Sequence, residues 1–457
     1  MTEPTRRIRR VLVANRGEIA VRIIRALRDL GIESVAVFSE ADRGSLATRL
    51  ADRAVCIGPP RAAESYLDQS AILAAATALE VDAIHPGYGF LAEQASFARA
   101  CEAAGVIFIG PRPEAIEAMG DKVRALRIAR DAGVPTVPGT VDPVDAETAV
   151  RIADEIGYPV LLKAAAGGGG RGMRQAGDPD TLRRVLAEAT AEAQAAFGDG
   201  TVYVERFLDS ARHIEVQVAF DEDGTGIHLG ERDCTIQRRF QKLVEESPSP
   251  VLDDAARGMV CDSALALGRA VGYRGVGTME FLYDQDARRS YFIETNTRLQ
   301  VEHPVTEAVA GLDLVALQVR IAMGEVLPIA QVDVRSVGHA IEFRINAEDP
   351  EGGFLPSAGR ITEWAVPLGP GVRVDTHVEP GYQVPPFYDS MIAKLIVSGA
   401  DRDETLARSR RALAEFRVEG IPTTLPFHRW LVDQSAFQTS ATTTRWAEAA
   451  WAARSQP

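Results

Sequence analysis

The fold and chemistry of this chain are indicated best by residues 291–304, which read Tyr291-Phe-Ile-Glu294-Thr-Asn296-Thr-Arg298-Leu-Gln300-Val-Glu302-His-Pro304. The stretch begins like a β-strand, and the two-residue period of a strand places its polar side chains on one side. Its apolar residues, Ile293, Leu299 and Val301, fall on the other side. A solvated strand face is the ordinary explanation, but such a face rarely orders oxygen ligands at one end and a guanidinium and a carboxylate at the other. We therefore interpret the polar side as functional.

A second strand-like piece, Thr278-Met-Glu280-Phe-Leu, supplies another carboxylate. Glu280, Glu294 and Asn296 offer hard oxygen ligands of the kind that Mg²⁺ (or Mn²⁺) accepts together with substrate phosphates. Arg298 can hold a small oxyanion with two parallel N–H donors, and Glu302 can act as a general base. The two pieces together predict a site for a metal ion and an anion.

Lysine is rare in this chain: only four of its 50 basic residues are lysines, and the others are arginines. The few lysines are therefore expected at positions that need a compact ammonium group, where the planar guanidinium of arginine would not fit. Lys163 precedes the glycine run 167–170, whose backbone N–H groups can turn toward an anion. No Gly-Lys-Ser/Thr follows, so the run is not a P-loop. We expect a lid over nucleotide phosphates. Lys122 and Lys242 lie in similarly polar segments.

Composition narrows the class of protein. The chain has 457 residues and a net charge of −14, which argues against a nucleic-acid coat or a general affinity for anionic membranes. Charged residues interrupt every apolar stretch, and the N-terminus lacks the apolar core of a signal peptide. The four cysteines are scattered, which favours neither a disulfide scaffold nor a zinc site. We expect a cytoplasmic protein with no nucleic-acid or membrane partner.

The first 110 residues alternate between strands and helices, which predicts a parallel-sheet, Rossmann-like unit. Predicted strands are 10–14, 33–39, 83–85 and 106–109, and predicted helices are 17–30, 68–79 and 97–104. The first turn, Asn15-Arg16-Gly17-Glu18, has one glycine and a carboxylate where a dinucleotide fingerprint needs three glycines. Dinucleotide binding is therefore disfavoured.

The rest of the chain is predicted to contain both strands and helices. A smaller α+β unit ends near Leu208, and strands are predicted at 215–220, 226–231, 277–283 and 291–294. A segment from 338 to 446 is rich in strands and turns and is predicted to end in a helix over 403–416. Beyond Trp446 we expect a frayed tail or a short helix.

Together, these segments closely resemble biotin carboxylase, an ATP-grasp enzyme, over about residues 8–446. The matching motifs begin at Ala14 (ANRGEIA), His85 (HPGYGFL), Met119 (MGDK), Gly167 (GGGGRGM), Glu231 (ERDC), Gln237 (QRR), Glu294 (ETNTRLQVEHPVTE), Arg344 (RINAEDP) and Tyr388 (YDSMI). The QVEHP and RINAEDP motifs distinguish this family from other ATP-grasp ligases.

The resemblance implies a mixed α/β and α+β fold. It comprises a Rossmann-like N-terminal domain (1–117), an ATP-grasp domain (118–335) with a mobile lid at about 137–208, a β-rich C-terminal domain (336–446) and a tail (447–457). It also implies the carboxylation of biotin by bicarbonate and ATP through carboxyphosphate. That reaction is the first half-reaction of an acetyl-CoA or other acyl-CoA carboxylase.

The resemblance further implies roles for individual residues. The ATP-binding residues would be Lys122, Lys163, Gly168, Gly169, Gly170, Glu205, Leu208, His213 and Gln237. The metal ligands would be Glu280, Glu294 and Asn296. Bicarbonate would be held by Lys242, Arg298, Gln300 and the Val301 backbone, with Glu302 taking its proton. Arg344 would stabilise the biotin enolate, and Tyr88 would lie near biotin.

Three positions stand apart from this pattern. Phe240 replaces a histidine that family members often carry, which puts a polar nucleotide contact in doubt. Ala166 replaces a usual glycine and would stiffen the loop slightly. Lys394, in Met-Ile-Ala-Lys-Leu, faintly resembles a biotin-attachment motif, but its surroundings belong to the C-terminal domain, and the sequence assigns it no role.

The resemblance also implies partners. With no biotinyl or carboxyltransferase region after residue 446, biotin is expected on a separate biotin carboxyl carrier protein, with carboxyltransferase subunits alongside, unless the chain is a domain of a longer enzyme. A homodimer is also expected, because the family commonly dimerises and Arg25 and Asp29 match positions that it uses in the dimer contact. An ion pair between these two residues, four apart on one helix, explains their presence equally well. Two alternatives are a different ATP-grasp ligase and a catalytically silent nucleotide-binding subunit.

Overall fold

The computed structural model describes residues 7–140, 144–164, 173–198 and 200–454. A parallel five-stranded sheet, in the order β3-β2-β1-β4-β5, forms the first unit and confirms the predicted Rossmann-like arrangement. Its strands are β1 (Arg10–Val13), β2 (Glu33–Ser39), β3 (Arg53–Gly58), β4 (Ala83–His85) and β5 (Ile107–Phe108). Its helices are α1 (Gly17–Asp29), α2 (Leu46–Leu50), α3 (Gln69–Ala78), α4 (Ala95–Ala103) and α5 (Pro113–Gly120).

The turns after β1 and β4 meet at the carboxyl edge of this sheet. Asn15 Nδ2 donates to the carbonyls of Pro86 at 2.7 Å and Tyr88 at 2.8 Å. Gly87 lies between them with φ of +66°, and a Cβ there would come within 2.8 Å of Asn15 Nδ2. Only glycine suits such a position. These two hydrogen bonds from Asn15 fix Tyr88 at the edge of the sheet where α/β proteins usually bind ligands.

A small antiparallel sheet, β7-β6-β8, forms the second unit. Its strands are β6 (Val160–Ala164), β7 (Arg174–Ala176) and β8 (Val202–Arg206), and the helices of this region are α6 (Lys122–Asp131), α7 (Ala146–Ile156) and α8 (Pro179–Phe197). Asp145 and Asp178 cap α7 and α8 by accepting backbone N–H bonds, a strong signal for a helix start. Gly168, Gly169, Gly170 and Ala166 lie outside the described residues.

The third unit is a largely antiparallel sheet of eight strands, ordered β13-β12-β9-β10-β11-β14-β21-β19. Its strands are β9 (Ala211–Phe220), β10 (Gly226–Arg238), β11 (Gln241–Ser247), β12 (Gly275–Asp284), β13 (Arg289–Asn296), β14 (His339–Asn346), β19 (Val372–Thr376) and β21 (Met391–Gly399). Its associated helices are α9 (Asp254–Ala270), α10 (His303–Ala310) and α11 (Leu314–Ala322). The β11–β14 pairing joins strands from the predicted central and C-terminal domains into one hydrogen-bonded surface.

The remaining C-terminal elements surround one apolar cluster. They are β15 (Glu348–Asp349), β16 (Leu355–Pro356), β17 (Gly359–Arg360), β18 (Glu363–Ala365), β20 (Gln383–Val384), α12 (Arg402–Glu415), β22 (Arg417–Glu419), α13 (Leu425–Val432), α14 (Ser435–Gln438) and α15 (Trp446–Ala453). Short 3₁₀ turns occupy 40–42, 62–64 and 331–333.

The predicted end of the C-terminal segment was wrong, because α12 is followed by β22, α13 and α14. The helices α13 and α14 span only eight and four residues, which is too short for a 3.6-residue period to be recognised with certainty in the sequence. The tail forms the short helix α15, since Trp451 packs edge-on against Phe427 with ring centroids 5.2 Å apart. Among the described helices, none has the length and apolarity needed to cross a membrane.

Candidate active site

A cleft of about 1000 Å³ opens over the polar face of the eight-stranded sheet. Alternation along β9 creates this face. Ile214, Val216 and Val218 join the apolar cluster beneath α9, so the alternate residues His213 and Glu215 lie on the cleft side. The strands that carry the site are thus anchored by a buried core on their opposite face.

The structure brings together every described residue to which the sequence assigned a site role. The cleft is lined by Tyr88, Lys122, Lys163, Glu205, Leu208, His213, Gln237, Lys242, Glu280, Glu294, Asn296, Arg298, Gln300, Val301, Glu302 and Arg344. Their placement in one cleft is a finding, whereas the individual roles stay predictions.

Lys242 occupies the centre of a cluster of carboxylates. Its Nζ donates to Glu215 Oε2 at 2.5 Å, Glu280 Oε1 at 2.9 Å and Glu302 Oε1 at 2.7 Å. Burial lowers the pKa of Lys242, but the three carboxylates outweigh burial and raise it well above its ordinary value. An ammonium group has three N–H donors on one atom, so it can bond to three acceptors arranged around a point. A planar guanidinium cannot make this arrangement.

Glu302 lies between two cations at the start of α10. One carboxylate oxygen accepts from Lys242, and Oε2 accepts from Arg344 Nη2 at 2.8 Å. Burial and the nearby Glu215 raise the pKa of Glu302, but Lys242 and Arg344 outweigh them and leave it below its ordinary value. The group is therefore an ionised carboxylate at neutral pH and is able to accept a proton.

Glu245 is a site residue that the sequence analysis missed. Arg344 on β14 donates from Nε to Glu245 Oε1 on β11 at 2.6 Å. Burial raises the pKa of Glu245 to about 7, although Arg344 opposes the shift. Glu245 directly follows the apolar pair Leu243–Val244, but the sequence gives no signal of its partner, which lies 99 residues away in the chain.

Arg232 and Glu215 were missed as well. Arg232 is fully buried and donates to Glu215 at 2.6 Å and to Gln300 at 2.6 Å, with further bonds to Gln217, Thr278 and Thr306. The Glu231-Arg-Asp-Cys motif marks Arg232 in the sequence without indicating what it contacts. Arg232 fixes Gln300 and Glu215 from beneath the cleft.

Glu280 and Glu294 are the predicted metal ligands, and they face each other across the β12–β13 pair. Burial and the charge of Glu280 raise the pKa of Glu294. Asn296 Nδ2 donates to Glu280 Oε1 at 2.7 Å, and His213 Nε2 lies 2.8 Å from Glu280 Oε2. Two opposed carboxylates with an amide oxygen donor nearby fit a hard divalent cation, which would relieve their mutual repulsion.

The other end of the cleft carries the predicted nucleotide contacts. Lys163 on β6 donates to the carboxylate of Glu205 on β8, and Gln237 Nε2 lies 3.0 Å from His213 Nδ1. Phe240 also lines the cleft and is 59% exposed at the β10–β11 turn. An exposed aromatic ring therefore stands where the family often has histidine.

Comparisons with known proteins agree with this geometry. Three family models match successive parts of the chain: biotin carboxylase, N-terminal domain, over 7–116; carbamoyl-phosphate synthase L chain, ATP binding domain, over 121–330; and biotin carboxylase C-terminal domain, over 342–449. Biotin carboxylase 1 of Bacillus subtilis is 52% identical over 442 residues, which cover 96% of this chain and 98% of that protein.

Solved structures give the same result. The Campylobacter jejuni biotin carboxylase–β-γ-ATP complex has a TM-score of 0.93 at 46% identity and covers 97% of this chain and 99% of that one. The biotin carboxylase domain dimer of Hydrogenobacter thermophilus 2-oxoglutarate carboxylase, with MgADP, ADP and bicarbonate, has a TM-score of 0.91 at 47% identity and covers 97% of each chain.

The matched domains and the cleft define an ATP-grasp enzyme of the ligase type. The resemblance of the motifs is confirmed over almost the whole length. The chain belongs to the biotin carboxylase family. Its reaction is the ATP-dependent carboxylation of biotin, with ATP as substrate and Mg²⁺ as cofactor.

Proposed function

We propose that Glu302 is the general base that deprotonates bicarbonate, and that Lys242, Arg298, Gln300 and the Val301 backbone bind this anion. The observation that carries the proposal is the position of the Glu302 carboxylate between Lys242 Nζ, at 2.7 Å, and Arg344 Nη2, at 2.8 Å. The deprotonated bicarbonate oxygen attacks the γ-phosphorus of ATP, the bond to ADP breaks, and carboxyphosphate forms. Such phosphoryl transfer depends mainly on positioning and on neutralising charge.

Lys122 and Lys163 are proposed to bind the ATP phosphates together with Gly168, Gly169 and Gly170, which lie outside the described residues. Glu205, Leu208, His213 and Gln237 contact the rest of the nucleotide in this proposal. Glu280, Glu294 and Asn296 would hold Mg²⁺, which supplies positive charge to the phosphates. The pairing of Lys163 with Glu205 supports a nucleotide end of the cleft that is separate from the bicarbonate end.

In the second step, carboxyphosphate breaks into CO₂ and phosphate, and the phosphate takes the proton from the ureido nitrogen of biotin. The biotin nitrogen then forms its new bond to the carbon of CO₂. Arg344 is proposed to stabilise the negative ureido oxygen, with Tyr88 beside the ring. The position of Arg344 next to Glu302 supports this role, because it places both steps within one cleft.

We further propose that biotin arrives on a separate carrier chain and that the enzyme is the homodimeric, cytoplasmic subunit of an acyl-CoA carboxylase. Arg25 and Asp29 are exposed on α1, where a second copy could contact them. A 2-oxo acid carboxylase is the alternative assembly, since the Hydrogenobacter relative belongs to one. We also propose the boundaries 1–117, 118–335 and 336–446 for the three domains.

The direct test is transfer of labelled carbon from bicarbonate to a biotinylated carrier domain added as a separate chain. The proposal expects label on the carrier only when ATP and Mg²⁺ are both present. Glu302→Gln should prevent transfer. Label that reaches the carrier at the same rate with Glu302→Gln would exclude Glu302 as the base.

A further inference from the structure

Lys394 is a fully buried lysine in the middle of β21. Its Nζ donates to the carbonyl of Val301 at 2.9 Å and lies 3.1 Å from Glu18 Oε1. An internal ammonium therefore holds one backbone carbonyl of the segment that borders the cleft.

The preceding carbonyl of that segment is held as well. His303 is fully buried, and its Nδ1 lies 2.7 Å from the carbonyl oxygen of Gln300. Burial lowers the pKa of His303 well below its ordinary value, and Lys394 and Arg22 add to this effect. The ring is therefore neutral, and Nδ1–H donates to the carbonyl.

These two bonds set the direction of two peptide groups. In a trans peptide the C=O and N–H bonds point in opposite directions. The N–H of Val301 therefore points away from His303, and the N–H of Glu302 points away from Lys394. Val301 and Glu302 both line the cleft, and neither N–H has an acceptor among the residues that the structure describes.

Glu18 connects Lys394 to Tyr88, another residue that lines the cleft. The Tyr88 hydroxyl donates to Glu18 Oε1, the same oxygen that lies beside Lys394. Two further carboxylates surround the ammonium: Glu342 on the adjacent strand and Asp375, which lies opposite Lys394 in the β19–β21 register. Asp375 already accepts two bonds from Arg373, at 2.9 and 2.7 Å.

We propose that Lys394 is a positioning residue that fixes the Val301–Glu302 peptide, so that the Glu302 N–H faces bicarbonate and stays in register with Tyr88. The inference rests on the proposed function, because it requires bicarbonate to bind beside Val301. A lysine serves here because one compact ammonium reaches both the carbonyl and Glu18 within a fully buried site.

The test is the double substitution Glu18→Gln with Lys394→Met, which removes the ammonium and its charged partner together. We expect the KM for bicarbonate to rise at least about tenfold and the KM for ATP to stay within about twofold, since Lys394 contacts Val301 and Glu18 and none of the residues proposed to bind the nucleotide. Glu18→Gln alone keeps the bond from Lys394 to Val301 and should leave the KM for bicarbonate within about twofold. An unchanged KM for bicarbonate in the double variant overturns the proposal.

A matched control is Arg212→Met with Asp233→Asn, another buried ion pair, 2.9 Å long, in the same sheet. It should lower the melting temperature without changing the KM for bicarbonate. If the control raises that KM equally, or if the KM for ATP rises in parallel in the test variant, Lys394 is structural only. Should the double variant not fold, Glu18→Gln with Lys394→Gln keeps a polar group at position 394 that is too short to reach the Val301 carbonyl, and it is judged by the same criterion.

The outcome is distinguishable from failure of the proposed function. Glu302→Gln tests that function directly, through bicarbonate-dependent turnover. If Glu302→Gln is inactive while the double variant keeps a normal KM for bicarbonate, only the inference about Lys394 fails. If Glu302→Gln is fully active, the assignment of the bicarbonate site fails first.

Discussion

Arg344 Nη2 donates to Glu302 Oε2 at 2.8 Å, which joins the proposed base of the first step to the proposed biotin ligand of the second. Glu245 Oε1 accepts from Nε of the same guanidinium at 2.6 Å. The pair therefore has a fixed geometry at the meeting point of β11, β14 and the start of α10. The Glu302 carboxylate accepts from both Lys242 and Arg344. If bicarbonate binds beside Lys242 and Glu302, any shift of this carboxylate would therefore also move Arg344.

Glu302→Gln should reduce bicarbonate-dependent turnover by at least about 100-fold, because an amide of the same shape cannot accept the proton. Affinity for ATP should change little, since a base contributes mainly in the transition state. Turnover assays and calorimetric titration with a non-hydrolysable ATP analogue would measure both. A parallel loss of nucleotide affinity would falsify the role assigned to Glu302.

Lys242→Arg should reduce biotin carboxylation by roughly 100-fold, because a planar fork cannot place donors toward three carboxylates around one point. The positive charge is kept, so the melting temperature should fall by only a few degrees. Steady-state kinetics and thermal unfolding provide the two readouts. Near-normal carboxylation by the arginine variant would refute the geometric argument.

Glu294→Gln should raise the Mg²⁺ concentration needed for half-maximal activity by at least about tenfold, because one of two facing carboxylate ligands is lost. Glu205→Gln is the matched control, since Glu205 lines the same cleft but lies outside the proposed metal site. Mg²⁺ titrations at saturating ATP would compare the variants. Equal Mg²⁺ requirements in all three proteins would rule out Glu294 as a ligand.

Glu246 provides a prediction about stability and pH. Burial raises its pKa, but His339 and Arg402 outweigh burial and lower it from 4.5 to about 2. A lowered pKa stabilises the fold above the unfolded-state value, and this contribution is lost as the pH falls toward the folded-state value. The destabilisation caused by Glu246→Gln should therefore shrink between about pH 4.5 and about pH 2. Urea midpoints across this range would show it, and a pH-independent difference would contradict it.

The sequence predicted the cleft well because the motif residues carry the chemistry themselves. Strand alternation placed Glu294 and Asn296 on one side, and the structure confirms that both line the cleft. The prediction that Ile293 and Val301 lie on the opposite side was wrong, because both line the cleft. The strand ends at Asn296, so alternation does not extend to Val301, and Glu302 reaches the cleft from the start of α10. The strands 33–39 and 83–85 were predicted to the residue.

What the sequence could not supply were the long-range partners. Glu215 and Lys242 lie 27 residues apart, and Glu245 and Arg344 lie 99 residues apart. Periodicity shows which face a residue takes, but not which strand pairs beside it. The strand order β9-β10-β11 brings Glu215 near Lys242, and the β11–β14 pairing brings Glu245 near Arg344. The role proposed for Lys394 likewise depends on a long-range contact, its bond to the Val301 carbonyl, which the sequence does not indicate.

The most direct test of the central claim is phosphate release from Mg-ATP by the purified chain, with and without bicarbonate and with and without free biotin. The account predicts that release requires bicarbonate, rises strongly with biotin and is lost in Glu302→Gln. Release that is indifferent to bicarbonate and biotin, or that persists in Glu302→Gln, would contradict it.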